Sequence, residues 1–253
     1  MDLTTQASAA AQASAAAPTA SDSSPTPSPG GAPSASAPAA PASGTAHLAP
    51  APAAPASGTA AGVPLRLALV VGSNREGRFA PVVADWFLER AAAREDFTVD
   101  VVDLAEVDLP TALSGRPGAA VRAALAKVSP RLAAADAFVV LTPEYNHSFP
   151  AALKSLIDWH YTEWRAKPIG FLSYGGISGG LRAVEQLRQV FAEMHAVTVR
   201  DTVSFQNAGQ HFDSEGRHRD PAAPEAAVKT MLDQLAWWGS ALRDAKSRRP
   251  YGG

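Results

Sequence analysis

Short runs of apolar residues recur along the chain from Leu65 onward, each closed by a polar, glycine-bearing break. Leu65 to Val71 (Leu-Arg-Leu-Ala-Leu-Val-Val) is rich enough in Val and Leu to predict a strand buried on both faces. The run stops at Gly72-Ser73, crosses a loop holding Arg75, Gly77 and Arg78, and enters a helical pattern over 79–94. There Val82, Val83, Trp86 and Phe87 form an apolar face, and Pro81 sits in the first turn, where its missing N–H is tolerated. Phe97 to Leu104 alternates and is β-branched, which predicts the second strand; a Pro/Gly loop follows to about Pro117. Ala119 to Ala135 reads as a helix that Pro130 should break into two pieces. Asp136 to Thr142 is the third strand, and Pro150 opens a helix expected to reach about Trp164. Pro168 to Tyr174 is the fourth strand, then comes Gly175-Gly-Ile-Ser-Gly-Gly180, and a helix covers Leu181 to Met194. Ala196 to Val199 is the fifth strand, Thr202 to about Asp220 an irregular connection, and Ala222 to Lys246 a last helix with Met231, Leu235 and Trp238 on one face.

Five strands alternating with five helices predict an α/β three-layer sandwich: a parallel sheet with helices on both faces. The common order for five such strands is 2-1-3-4-5, and ligands then sit beyond the carboxyl ends of the strands where the order reverses. The three polar, glycine-bearing loops follow strands 1, 3 and 4, so they would surround one crevice. Their convergence says more than any one of them.

Each loop suggests a task. The first joins a strand to a helix N-terminus, where unpaired backbone N–H groups and the helix dipole favour an anion. Ser73 adds a hydroxyl, while Arg75 and Arg78 add forked donors suited to phosphate oxygens. Neither the Walker A ending nor the dinucleotide glycine spacing is present. Taken alone, this loop has a weaker alternative reading as an ordinary βα turn with two solvated arginines. The second loop, Pro143-Glu-Tyr-Asn-His-Ser-Phe149, offers Tyr145 as a flat surface and backbone amides over Glu144 to Asn146 that can donate to a polar ring edge. The third has glycine pairs that let a planar ligand approach the backbone. Phosphate at one end and a flat heteroaromatic at the other describe a mononucleotide, best matched by flavin mononucleotide (FMN).

Composition divides the 253 residues in two. Residues 1–64 are almost wholly Ala, Pro, Ser, Thr and Gly, with Asp2, Asp22 and His47 the only ionisable side chains. Such a stretch buries too little apolar surface to offset its ordering entropy, which predicts a disordered tail. Ala-Pro-Ala-Ala-Pro-Ala-Ser-Gly-Thr-Ala occurs at 37–46 and again at 51–60, a low-complexity duplication. The tail lacks the basic start and apolar core of a secretory signal and the arginines of a transit peptide. No apolar run reaches the roughly 18 residues of a membrane span. Residues 65–253 suit one domain near neutrality, with no basic excess for nucleic acid and no cationic amphipathic helix for a membrane. The absence of cysteine excludes disulfides, thiolate metal sites and a cysteine nucleophile, and suits a cytoplasmic location.

The motif Gly72-Ser73-x-Arg75-x-x-Arg78, then Pro143-Glu-Tyr-Asn146, then Pro150-x-x-Leu-Lys-x-x-Ile-Asp-Trp159 resembles the NADPH-dependent FMN reductase family of flavodoxin-like proteins, which includes quinone, chromate and azo-dye reductases. The resemblance covers residues 65 to 200, and the second and third blocks in their proper places are its specific part. It implies a flavodoxin-like fold in which Ser73, Arg75 and Arg78 hold the FMN phosphate. Pro143, Glu144, Tyr145 and Asn146 would line the isoalloxazine ring, with Ser173, Tyr174, Gly175 and Gly176 closing its other side. It further implies NADPH or NADH as hydride donor, NADPH being the family's usual choice. A small-molecule electron acceptor follows (quinone, free flavin, azo compound or metal oxyanion), as does a homodimer or homotetramer contacting through the helix after Asn146. Two positions depart from the pattern. Many members have Ser in place of Arg78, and Gly is frequent where this chain has His147.

No residue is assigned as a catalytic acid or base, since solvent can supply the acceptor's proton; His147 and Tyr145 are the only candidates. Trp159, Trp164, Trp237 and Trp238 read as core or subunit interface, and His195 as structural. His211 and His218 lack metal-ligand spacing. A rival from another class is a serine hydrolase. Gly176-Ile-Ser-Gly-Gly180 satisfies Gly-x-Ser-x-Gly between a strand and a helix, and Asp201 and His211 or His218 follow in order. Against it, only one strand follows Ser178, no His-Gly-Gly-Gly segment precedes it, and the phosphate loop goes unexplained. A non-catalytic flavodoxin-like electron-transfer or binding module is the third reading. The near-neutral charge counts against it, because carriers that dock on basic partners are strongly acidic.

Overall fold

A computed structural model describes residues 63–252. The predicted tail therefore lies outside the described residues, apart from Val63 and Pro64. Five strands form one sheet: β1 (Leu65–Val71), β2 (Phe97–Asp103), β3 (Ala137–Pro143), β4 (Pro168–Gly175) and β5 (Val197–Gln206). All pairings are parallel and the order is β2-β1-β3-β4-β5, as the alternation predicts. The helices between and after them are α1 (Ala80–Ala92), α2 (Ala119–Ala134), α3 (Ala151–Trp159), α4 (Leu181–Glu193) and α5 (Ala222–Arg248).

Alternation along each strand separates two cores. Leu65, Leu67, Leu69 and Val71 of β1 pack with Trp86 and Phe87 of α1 and with Met231 and Leu235 of α5. Ala68 and Val70 face the other way, into a cluster with Leu132 of α2, Leu153 and Leu156 of α3, and Leu187 and Phe191 of α4. Burying each large apolar side chain contributes about 1.5–3 kcal/mol, so the two cores fix strand order and register together.

Three expectations are corrected. Pro130 does not break α2, which runs unbroken through it. Pro130 and Ala126 are both exposed, so the carbonyl left without an N–H partner faces water, while buried Val128 and Leu132 hold the axis. The helix opened by Pro150 stops at Trp159 rather than near Trp164. His160 is extended there, and its buried ring meets the Leu156 carbonyl at 2.8 Å and Ser129 Oγ at 2.9 Å. Trp164 lies beyond the helix, fully buried against Phe138 and Phe191. β5 is longer than predicted and absorbs Arg200 to Gln206. Its register against β4 steps from Ile169↔Thr198 to Phe171↔Thr202, an irregularity that puts polar residues on the solvent side of an edge strand while Val199, Val203 and Phe205 stay buried. Among the described residues, no helix is long and apolar enough to cross a membrane.

Candidate functional site

The loops after β1, β3 and β4 leave the same edge of the sheet, with the order reversing between β1 and β3. In the first, Gly72 N–H donates to the Leu141 carbonyl at 2.8 Å, which ties the loop's start to β3. Ser73 is fully buried, and its Oγ lies 2.7 Å from the Tyr145 hydroxyl. Arg75 is exposed, with its guanidinium 5.9 Å from the Tyr145 ring centre. Asn74, Glu76 and Gly77 are exposed too, just ahead of α1.

Arg78 is engaged differently. Nη1 and Nη2 donate to the two carboxylate oxygens of Asp103, each at 2.5 Å, and Nη1 also reaches the Ser73 carbonyl at 2.5 Å. Asp103 ends β2 and accepts from the Ala105 N–H at 3.0 Å. This fork joins the ends of β1 and β2 and raises the guanidinium pKa through the Asp103 hydrogen bonds.

The second loop is a two-residue turn. Tyr145 N–H donates to the Ser148 carbonyl at 2.9 Å and Ser148 N–H to the Tyr145 carbonyl at 3.0 Å. Asn146 (φ 49°) and His147 (φ 73°) between them are both left-handed. Pro143 is buried at the end of β3. Glu144 points across to the third loop, where its carboxylate accepts from Ser178 Oγ at 2.5 Å, from the Arg182 N–H at 3.2 Å and from Arg182 Nη1 at 3.0 Å. Burial favours the neutral acid, but the donors on Ser178 and Arg182 outweigh it and hold the carboxyl below its ordinary range.

In the third loop the fully buried Ser173 donates to the Gly179 carbonyl at 2.9 Å, and Ser204 of β5 donates to the same oxygen at 2.8 Å. Tyr174 is buried beside Phe79, with ring centres 6.1 Å apart, and burial pushes its phenol up to about 12 against the opposing Ser73 hydrogen bond. Gly175 is half-buried, whereas Gly176 and Ile177 face water.

Of the residues named from sequence, Arg75, Asn146 and Gly176 are thus exposed, Glu144, Tyr145 and Gly175 half-buried, and Ser73, Pro143, Ser173 and Tyr174 buried. Three features escaped sequence reasoning. A cleft of about 310 Å³ runs between Asn74, the segment Leu104–Thr111 and the start of α3, with Tyr145 on its wall. The order 2-1-3-4-5 would have brought the loop after β2 to this edge. Asp103, the partner of Arg78, gave no signal in sequence. Ile177 and Leu181 expose apolar side chains at the rim, 76% and 49% accessible, a placement no pattern marks.

The hydrolase constellation does not assemble. Ser178 donates to a carboxylate, Asp201 accepts from Arg200 and Gln234, and His211 Nε2 meets the Gln206 carbonyl at 2.8 Å.

The residues present suit FMN on chemistry alone: an exposed loop ahead of a helix N-terminus with an exposed arginine near an aromatic ring, and an open glycine with an apolar rim. An NAD(P)H-dependent FMN reductase of Schizosaccharomyces pombe is 34% identical over 49% of this chain, and the match spans 64% of that protein's length, just under two thirds. A probable NADPH:quinone oxidoreductase of Oryza sativa is 32% identical over 68% of this chain and 91% of its own. The flavoenzyme NAD(P)H:(acceptor) oxidoreductase FerB of Paracoccus denitrificans superposes with a TM-score of 0.56 at 20% identity, over 70% of this chain and 98% of its own, a likeness of fold. The profile of the NADPH-dependent FMN reductase family matches residues 65–210, and with more than half of its length so matched the chain belongs to that family.

Proposed function

We propose that this protein is an FMN-dependent NAD(P)H oxidoreductase that delivers reducing equivalents to a small acceptor such as a quinone, free flavin, azo compound or metal oxyanion. The observation that carries the reading is the convergence of the three loops where the strand order reverses, with Arg75 beside Tyr145. FMN held at this edge would supply the redox chemistry, a hydride acceptor for the nicotinamide and an electron source for the acceptor.

The chain's own groups bind, orient and polarise. Arg75 and the N–H groups of residues 74–77 would hold the phosphate by charge and aligned dipoles. Arg78 supports this loop from behind, since its fork is committed to Asp103 and the Ser73 carbonyl. Tyr145, Asn146, Gly175 and Gly176 would line the ring, and the exposed Ile177 and Leu181 would give it an apolar rim. Because Ser73 lies beneath the Tyr145 hydroxyl, its own contact with phosphate requires that tyrosine to turn aside. No side chain need act as acid or base.

The described domain is sufficient for this role. Deleting residues 1–62 should leave NADPH-driven, FMN-dependent reduction of 1,4-benzoquinone unchanged. If neither the full chain nor the shortened one oxidises NADPH when supplied with FMN and quinone, the reading fails.

A further inference from the structure

The turn at 145–148 holds a side chain that the fold does not use. At φ 73°, His147 sits where glycine is free of strain and where an L-residue pays about 1–2 kcal/mol. Two-residue turns of this hand favour Asn-Gly; this one has Asn at its first position and His at its second. The backbone cannot relax, because α4 pins it. Gln186 Nε2 donates to the His147 carbonyl at 2.8 Å, and Ser148 Oγ donates to Gln186 Oε1 at 2.5 Å.

The imidazole itself is exposed, and among the described residues it makes no hydrogen bond, ion pair or ring contact. Packing and internal hydrogen bonding therefore leave it unexplained. A strained position held rigidly from outside is a reason to look for a ligand. The turn carries His147 two residues beyond Tyr145, whose side chain lines the cleft.

We propose that His147 is a specificity-determining residue whose imidazole N–H donates to a carbonyl oxygen of the planar ligand entering beside Tyr145. This rests on the oxidoreductase reading above. Two ligands of such a reaction carry a carbonyl conjugated to a flat ring: the nicotinamide, through its carboxamide, and a quinone. Both offer the same acceptor to the same donor, so the chemistry is shared and the half-reactions separate the sources.

The test uses the full-length, flavin-loaded protein and the variants His147→Gly and His147→Asn. Bleaching of the flavin by NADPH without air measures the donor half. Reoxidation by 1,4-benzoquinone, divided by reoxidation with ferricyanide, which has no carbonyl, measures the acceptor half. Loss of one hydrogen bond should weaken apparent NADPH binding, or lower the benzoquinone-to-ferricyanide ratio, roughly three- to tenfold in His147→Gly. A partial recovery in His147→Asn, whose amide is also a donor, supports the assignment. Whichever half-reaction responds identifies the ligand. A third readout needs no turnover: the flavin-free His147→Gly protein should melt at or above the wild-type temperature, because glycine suits the turn.

Unchanged half-reactions in a His147→Gly protein that binds flavin would overturn the proposal. A lower Tm would also overturn it, since the imidazole would then serve the fold. A wild-type protein whose flavin NADPH fails to bleach would instead reject the oxidoreductase reading, and that outcome is visible before any variant is made.

Discussion

Two glycine-bearing loops leave the same edge of the sheet, and their glycines do opposite things. In the loop after β1, Gly77 has a left-handed φ of 64°, and a Cβ built on it would meet nothing within 4 Å. In the loop after β4, a Cβ on Gly180 would stand 2.7 Å from the Ser173 Cβ, and one on Gly179 would collide with Ser204 Oγ. The first loop is open to solvent and carries the exposed Arg75, while the second is packed down and fastened by Glu144. Glycine richness by itself therefore does not mark a ligand contact. What a side chain would meet there does, and within the second loop only Gly176 has open space.

Substitutions can sharpen that contrast. Gly180→Ala should be the most damaging, combining a left-handed alanine with overpacking for about 2–5 kcal/mol. Thermal melting would register this as a drop on the order of 10 °C in a domain of this size. A Tm within a degree of wild type would mean that the loop is looser than its contacts indicate. Arg75→Ala should act the other way round, leaving Tm alone and weakening FMN about ten- to a hundredfold, the worth of a charge-assisted contact. Fluorescence titration of the flavin-free protein measures it, and undiminished affinity would remove Arg75 from the phosphate site. Gly77→Ala should cost about 1–2 kcal/mol from backbone strain alone, with no steric contribution.

A pH-dependent effect comes from the opposite end of the sheet. Lys167 Nζ, buried next to the start of β4, donates to the carbonyls of Leu132 and Ala133 at 2.8 and 2.9 Å. Burial first, and Lys246 second, bring its pKa down from 10.5 to about 8. The folded state then binds fewer protons than the unfolded state between those values, so stability should rise as pH increases through that window. Lys167→Met should flatten the rise in melting curves taken from pH 7 to 10 while leaving flavin affinity unchanged. This separates the end of the sheet that stabilises from the end that binds.

Strand order was legible because period and alternation decide which faces are buried, and β1 and β3 announce themselves as predominantly apolar runs. β5 was read short because Arg200-Asp201-Thr202 looks like loop. Only its edge position, with Asp201 hydrogen-bonded to Gln234 of α5, makes a polar stretch extended. Pro130 misled for a related reason: a local rule predicts a break, but exposure of its orphaned carbonyl makes continuity cheap. At the site, residue types pointed to the three loops, while pairings across 25 or more positions did not show. Nothing near Arg78 in sequence says that Asp103 holds it, and nothing near Glu144 says that it faces Ser178.

The central claim is that this edge of the sheet binds FMN and admits a nicotinamide to it. The most direct test is a visible absorption spectrum of the purified full-length protein, recorded before and after NADPH is added without air. The account predicts flavin bands, native or acquired from added FMN, that bleach on addition of NADPH. A colourless protein that takes up no FMN, or bound FMN that NADPH leaves oxidised, would contradict it.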